Sequence, residues 1–416
     1  MPYLIDQANR AALERLDQGN PALVDVVFAK DVLPGIAPYT IGHAGPPIAW
    51  EDMCGPMKGA ILGAIRYEEL AETDAQAAQL IEEGKIKFRH NHSVDCVGPM
   101  TGIITYSMPL IKVANQTYGN VAYSTFNEGL GKVMRFGANG PEVIERLRWI
   151  EQTLAPAFQK ALIVHGSVNL KVLMSKALAM GDEMHQRNIA ASALLIRELA
   201  PSLACVVEDR QSLSRIMAFL AGNDQLFLNV AMAASKSVVD AIRDIPYCSL
   251  VSAMSRNGSK FGIKVSALGD RWFEAPCLMP KGLYFPGYGE ADANPDMGDS
   301  AICETYGIGG FAMASAPAVV RFVSTQPVSG AFSISRDMAE ITAGTSTQLT
   351  MPNMDFLGIP MGIDIRKVVE TGLLPVINTG IAHKEPGVGQ IGAGMVHAPM
   401  DCFEQALIAL GEALGV

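Results

Sequence analysis

The sequence predicts an α+β fold: two mixed α-β domains, residues 1–140 and 245–416, with a small helical domain, residues 141–244, between them. Three observations carry this reading. Short apolar runs broken by Gly and Pro fill the first segment, helical periodicity fills the second, and the third opens on a hairpin signal. Regular β-α-β units, the mark of a doubly wound sheet, are few.

The elements follow in chain order. MPYLIDQANRAALERL mixes charged and apolar residues and reads as an amphipathic helix; it has neither the apolar core nor the cleavage site of a signal peptide. GHAGPPIAW and DCVGPMTGIITYSMPL read as strands and loops. Val143, Leu147, Ile150 and Leu154 form one helical stripe, started at Asn139-Gly140-Pro141, where the proline ring presets a helical φ. A second helix is expected to end at Gly181. Asp182 is expected to cap a third, with His185 one turn in and Ile189, Ala193, Ile196 and Ala200 as its buried stripe before Pro201 stops it. Another helix spans Ser212 to Leu220 and ends near Gly222-Asn223.

SLVSAMSR and SKFGIKVSAL flank Asn257-Gly258, the pair that best tolerates the two positive φ angles of a tight hairpin turn. Phe261, Ile263 and Val265 alternate, which predicts a strand with one buried face. A Gly-dense run follows from Gly282 to Gly310, with Glu304 ahead of a helix reaching Val320. Asp401 to Leu414 is a terminal helix.

Composition excludes several function classes. With 416 residues, 49% hydrophobic and 18% charged, the chain can bury a large core. A net charge of -10 gives no general attraction to phosphate backbones or anionic lipid, so neither nucleic acid nor a membrane is expected as a partner. The most apolar stretch, Gly309 to Val320, falls short of the roughly 20 residues that span a bilayer. Seven single cysteines without a C-x-x-C pair fit a reducing, cytoplasmic compartment.

No P-loop, H-E-x-x-H or G-x-S-x-G motif occurs, and no motif names a cofactor. Gly387-Val-Gly389-Gln-Ile-Gly392 imitates a dinucleotide fingerprint, but the chain ends too soon for the required helix, strand and acidic residue. It reads as tight turns or an anion-contacting loop. RHNHSVDCVGPMTG gathers His90, His92, Asp95 and Cys96. These are metal-competent, acid/base or merely structural groups, and their spacing matches no standard zinc pattern.

Asn127-Glu128-Gly129-Leu130-Gly131-Lys132, followed by Arg135, combines exposed backbone N–H groups with two cations and suits a carboxylate or phosphate; a plain turn explains it equally. GDEMHQRN, around His185, is more polar than capping requires. Arg256 and Asn257 sit at the hairpin tip, where Asn257 is explained by the turn and Arg256 is an exposed residue or an anion clamp. Asp292, Asp296, Asp299 and Glu304 form an acidic loop that lacks the EF-hand pattern. Asn378 and His383 follow an apolar run. The candidate acid/base residues are therefore His92, Glu128 and His185. The candidate binding residues are Asn127, Lys132, Arg135, Arg256, Asn257, Asn378 and His383, and no metal ligand set can be assigned.

Seven segments together resemble one family: WEDMCGPMKGAILGA, HNHSVDCVGPMTGIIT, NEGLGKVMRFGANG, GDEMHQRN, MSRNGSKFGIKVSALGDRWFEAP, GLYFPGYGEADANPDMGDSAICETYGIGG and INTGIAHKEPGVGQIGAG. They are similar to the YlbE/YahG-like family, from about Gly42 to Ala406. That resemblance implies mixed α-β domains with a small helical domain. It also implies a subunit of an oxamate carbamoyltransferase, acting in allantoin breakdown by phosphorolysis of oxalurate to oxamate and carbamoyl phosphate. FdrA-like and YlbF-like subunits would be its partners, in a homo-oligomer or hetero-complex. A non-catalytic scaffold subunit, or a metal-dependent amidohydrolase acting on a ureido compound, are the alternatives.

Overall fold

The structure, a computed structural model, describes residues 2–323 and 327–415. Its organising element is the helix Leu226–Val239, in which every residue is buried. It has no polar face, so it shows no amphipathic stripe, and its sequence periodicity is silent. Its buried Lys236 is held by Asp240 one turn on, at 2.6 Å.

Around this helix lies a five-stranded sheet in the order Cys96–Val97, Val121–Thr125, Pro109–Asn115, Pro21–Phe28, Val168–Asn169. The hairpin of Val251–Asn257 and Lys260–Val265 extends into a four-stranded sheet through Phe273–Pro276 on one edge and Met297–Gly298 on the other. Lys281–Tyr284, Gln390–His397 and Val376–Ala382 form a three-stranded sheet. Thr342–Met351 pairs with Leu357–Ile363, and Thr40–His43 runs parallel to Lys87–His90. The α+β class stands. The largest apolar cluster runs from Ala12 to Met361 and draws on all three segments of the sequence.

Several elements fall where sequence places them. The helices Pro2–Gln18, Pro141–Trp149 and Met400–Leu414 form, as does the hairpin, but its turn centres on Gly258-Ser259: Asn257 ends the first strand, and of the expected pair only Gly258 takes a positive φ, +84°. Gly387 and Gly389, with φ of +83° and +106°, are turn glycines between two strands.

Others differ for identifiable reasons. The third helix of the middle segment is Ile189–Val206, and Asp182 lies outside it in a loop, although its carboxylate still accepts the Ala191 N–H at 2.8 Å. Its buried face is Ala191, Leu194, Leu195, Leu199 and Leu203, whereas Ile189 and Ala193 are exposed. This helix is apolar on two faces, so the spacing alone selected the wrong one. Pro201 lies inside it: a proline removes one hydrogen bond, and the helix continues to Val206. On composition alone this helix, rather than Gly309–Val320, is long and apolar enough to cross a membrane.

The strand Lys260–Val265 is covered on both faces. Gly262 lies under Pro46 and Trp272, and the buried Lys264 reaches Asp270 at 3.0 Å while sitting over the Trp272 ring. Glu304 lies within a short helix, Ile302–Tyr306, and the chain then proceeds to Val320 in 3₁₀ turns.

One carboxylate joins distant parts of the chain. Asp299, fully buried, accepts from Gly45 N at 3.0 Å, Ser255 Oγ at 2.5 Å, Asn91 Nδ2 at 2.9 Å and Gly98 N at 2.9 Å. Burial pushes its pKa up, and these donors pull against that shift. Replacing Asp299 by Ala strands Gly98 N and leaves Gly45 N, Asn91 Nδ2 and Ser255 Oγ with only their second acceptors, Ser255 Oγ, Gly102 O and Gly298 O, so urea denaturation should register a loss of about 2–4 kcal/mol. Asp299→Asn, which keeps one acceptor, should fall between the two.

Candidate functional site

A cleft of about 400 Å³ opens where the three segments meet, lined by Pro99, Arg135, His185, Gln225, Ser300 and Gln390 among others. Each wall has a local cause. The loop Asp182–Asn188 presents His185 and Gln186 because the buried Glu183 carboxylate accepts three successive backbone N–H groups, those of His185, Gln186 and Arg187, at 2.9, 2.6 and 2.6 Å. Burial raises the pKa of Glu183 to about 7 against those bonds and the nearby His185. Gln225 and Leu228 come from the start of the fully buried helix.

His185 is the best-placed acid/base group. Its Nδ1 lies 2.7 and 2.9 Å from the carboxylate oxygens of Glu304, which is completely buried. Glu304 Oε1 also accepts the N–H groups of Gly310 at 3.0 Å and Asn378 at 3.2 Å, so it acts as an acceptor and the proton resides on Nδ1. That leaves Nε2, bonded to no described residue, as the nitrogen available to the cleft. Gly309, at φ +65°, admits this arrangement, because a Cβ there would come within 2.1 Å of Glu304 Oε1.

Arg135 supplies the positive charge. It is buried; Nη2 donates to Gly129 O at 2.8 Å, Nε meets no acceptor, and Nη1 bonds to no described residue. Burial lowers its pKa to about 10, so it is cationic at neutral pH. Glu128 holds the loop beneath it by accepting Met134 N at 2.8 Å and Arg135 N at 3.0 Å, and its own pKa is raised by burial. Asn127 fixes the start of the loop, bonding Asn229 and receiving Gly129 N. Arg135 and His185 on one cleft amount to an anion anchor beside an oriented imidazole. Such a pair can bind an acid and move a proton.

The remaining candidates are placed differently. His92 is sealed inside, edge-on to Trp272, with Nε2 3.6 Å from Asp299. Burial first, then Lys236 and Lys264, hold it well below the ordinary histidine range. Arg256 is fully buried rather than exposed. It bonds Asp296 at 2.6 Å, Gly298 O at 2.8 Å and Ser300 Oγ at 3.1 Å, which makes it the support behind Ser300.

Asn257 stabilises its own turn through Ser259 N and Lys260 N and ties it to Pro46 O. Asn378 lies beneath the His185–Glu304 pair, with Oδ1 unpartnered. Lys132 is exposed beside the cleft-lining Gly131. His383 accepts Glu385 N at 3.0 Å within a turn. Asp95 pairs with Arg243 at 3.2 Å and Cys96 lies in a buried strand, so the His90–Cys96 group disperses. Among the described residues, no three His, Cys, Asp or Glu side chains converge as a metal-holding group.

Sequence reasoning passed over Gln186, Gln225, Ser300 and Gln390, as well as Glu304 as the partner of His185. The signals were the excess polarity of GDEMHQRN, which holds Gln186, and the anion-contacting reading of the Gly387–Gly392 loop, which holds Gln390. Nothing local connects His185 to a residue 119 positions away.

Residues 86–300 match the family described as oxamate carbamoyltransferase subunit AllG. Over 414 residues the chain is 50% identical to the oxamate carbamoyltransferase subunit AllG of Escherichia coli (strain K12), covering 99% of both. The chain belongs to this family. It is also 45% identical over 412 residues to the uncharacterized protein YahG of the same strain, covering 99% of this chain and 87% of that protein. A crystal structure of a conserved protein of unknown function from Enterococcus faecalis V583 superposes with a TM-score of 0.96 at 45% identity, covering 98% of each chain. The resemblance read from the motifs thus holds for YahG and for the AllG subunit. The segment matching the AllG family contains Arg135, His185 and Ser300 and ends before Glu304.

Because the folded-state pKa of Glu183 is raised, its contribution to stability is present below the unfolded-state value of about 4.5 and is lost as pH rises through 7. Glu183→Gln removes this titration. The stability of the unaltered protein relative to E183Q should therefore be greater at pH 5 than at pH 8, by up to about 3 kcal/mol in urea unfolding.

Proposed function

We propose that this chain is a subunit of an oxamate carbamoyltransferase complex, and that its cleft holds oxalurate during phosphorolysis to oxamate and carbamoyl phosphate. The observation that carries this reading is the shared opening of Arg135 and the His185–Glu304 pair onto one cleft. A small anionic ureido compound needs a cation for its carboxylate and a proton donor at the nitrogen that leaves. Family membership supports the assignment to the complex.

In the proposed step a phosphate oxygen attacks the terminal ureido carbon, the bond from that carbon to the oxamate nitrogen breaks, and carbamoyl phosphate forms. Hydrogenphosphate loses one proton and the oxamate nitrogen gains one, so the step balances. In this reading His185 Nε2 carries that proton, with Glu304 fixing the ring and stabilising the imidazolium. Arg135 neutralises the carboxylate, and the Gln186, Gln225 and Gln390 amides with Ser300 read the neutral carbonyl and amide groups. FdrA-like and YlbF-like proteins are the proposed partners, and the pathway is cytoplasmic breakdown of allantoin nitrogen. The seven free thiols fit that compartment.

The test is formation of carbamoyl phosphate from oxalurate and phosphate, by this chain alone and mixed with its two partner subunits. Product should appear in the mixture. His185→Gln should lower kcat by roughly 10²–10⁴-fold, while Arg135→Ala should chiefly raise KM for oxalurate. Folded proteins that yield no product in any combination would overturn the reading. A mixture whose rate ignores both substitutions would make this chain a scaffold for a site on another subunit.

A further inference from the structure

The loop Asp182–Asn188 serves two pockets. His185 and Gln186 line the cleft, whereas Arg187 lines a second pocket of about 330 Å³ that shares no residue with it. That volume suits a small molecule. The other walls are the end of the helix Leu170–Ala179, continuing to Gly181, and the turn from Ser315 to Ala318. These walls meet at Gly181, at φ +92°, where a Cβ would lie 4.0 Å from Ser315 O.

The pocket carries two donors with unused capacity. Among the described lining residues only Arg187 is charged, and its side chain is 37% exposed. Asp182, itself buried and tied to Ala191 N, accepts from Arg187 Nε at 3.2 Å. The guanidinium is thereby fixed on one edge, while Nη1 and Nη2 bond to no described residue. A planar fork held in this way suits a carboxylate, which takes two parallel N–H bonds. Ser315 is buried, and its Oγ meets no partner. A buried hydroxyl without a partner is costly, so a ligand oxygen in this pocket gains a second bond.

The pocket also carries acceptors. Asn353 donates through Nδ2 to Ala314 O at 3.0 Å, which leaves Oδ1 bonded to no described residue. The carbonyls of Ala179 and Met180, at the helix end, receive no described N–H. One cation beside several carbonyls, at the negative end of a helix, favours a monoanion over a dianion such as hydrogenphosphate. The same acceptors require N–H groups on the molecule that fills the pocket.

We infer that this pocket is a second binding site, for a small monocarboxylate that also carries amide or amino N–H groups. Arg187 and Ser315 hold the carboxylate, and Asn353 with the helix-end carbonyls takes the N–H groups.

The experiment is calorimetric titration of the full chain with oxamate, which has one carboxylate and one primary amide, in an Arg135→Ala background that silences the cleft. One oxamate per chain should bind. Adding Arg187→Ala should weaken binding roughly tenfold or more. Met180→Trp, which fills the pocket from an exposed position, should do the same with an unchanged circular dichroism spectrum and melting temperature. Acetate, which lacks the N–H groups, and inorganic phosphate should each bind roughly tenfold or more weakly than oxamate. No binding, or binding indifferent to both substitutions, overturns the inference. Acetate or phosphate bound as tightly as oxamate overturns the ligand class. With Arg135 intact, a second oxamate should bind and depend on Arg135. If only the Arg187-dependent site appears, the cleft reading fails and the second pocket stands; if only the Arg135-dependent site appears, the reverse holds.

Discussion

The buried carboxylate of Asp299 is the constraint on which the rest of the architecture rests. Its two oxygens receive donors from Gly45, Asn91, Gly98 and Ser255, which lie in four separate loops and strands. A buried charge is tolerable only when its hydrogen-bonding capacity is filled, so each donor is held to a position set by the others. The neighbouring Ser300 inherits that placement, and Arg256 reinforces it through Asp296 and Gly298. One wall of the cleft is thus anchored to a polar knot behind it.

The other walls follow the same logic with different groups. Glu183 and Glu128 are carboxylates whose main contacts are backbone N–H groups, and each fixes a loop that carries one reactive side chain, His185 in one case and Arg135 in the other. The reactive groups are left with incomplete internal bonding while their supports are saturated. That contrast, rather than the presence of a histidine or an arginine, singles out the cleft as the candidate site.

How much of this was legible in the sequence varied with the physics. Turn chemistry is local, so the hairpin at Gly258, to within one residue, and the Gly387–Gly389 turn could be read directly. Amphipathic helices were legible where one face was polar. The helix Leu226–Val239 escaped because it has no polar face, and Ile189–Val206 misled because it has two apolar ones. For the site, Arg135 stood out as a cation in a glycine-containing turn and His185 as part of a segment more polar than capping requires. Arg256 looked like a free cation because its partner Asp296 is 40 residues away. Ion pairs formed across the fold leave no trace in local spacing, and neither does the meeting of His185 with Glu304.

The bonds from Asn9 to Ser249 and Asp364, spanning 240 and 355 positions, close the first helix against the segment from residue 245 onward. Closing loops of that length precedes any reward from the contacts they make, so topology of this kind folds slowly and late. During synthesis the cleft cannot exist until Gln390 has left the ribosome, and the early helices meanwhile hold unburied apolar faces. The chain therefore offers no autonomous fragment that carries the site, and a nick or truncation in its last quarter removes the whole cleft rather than trimming it.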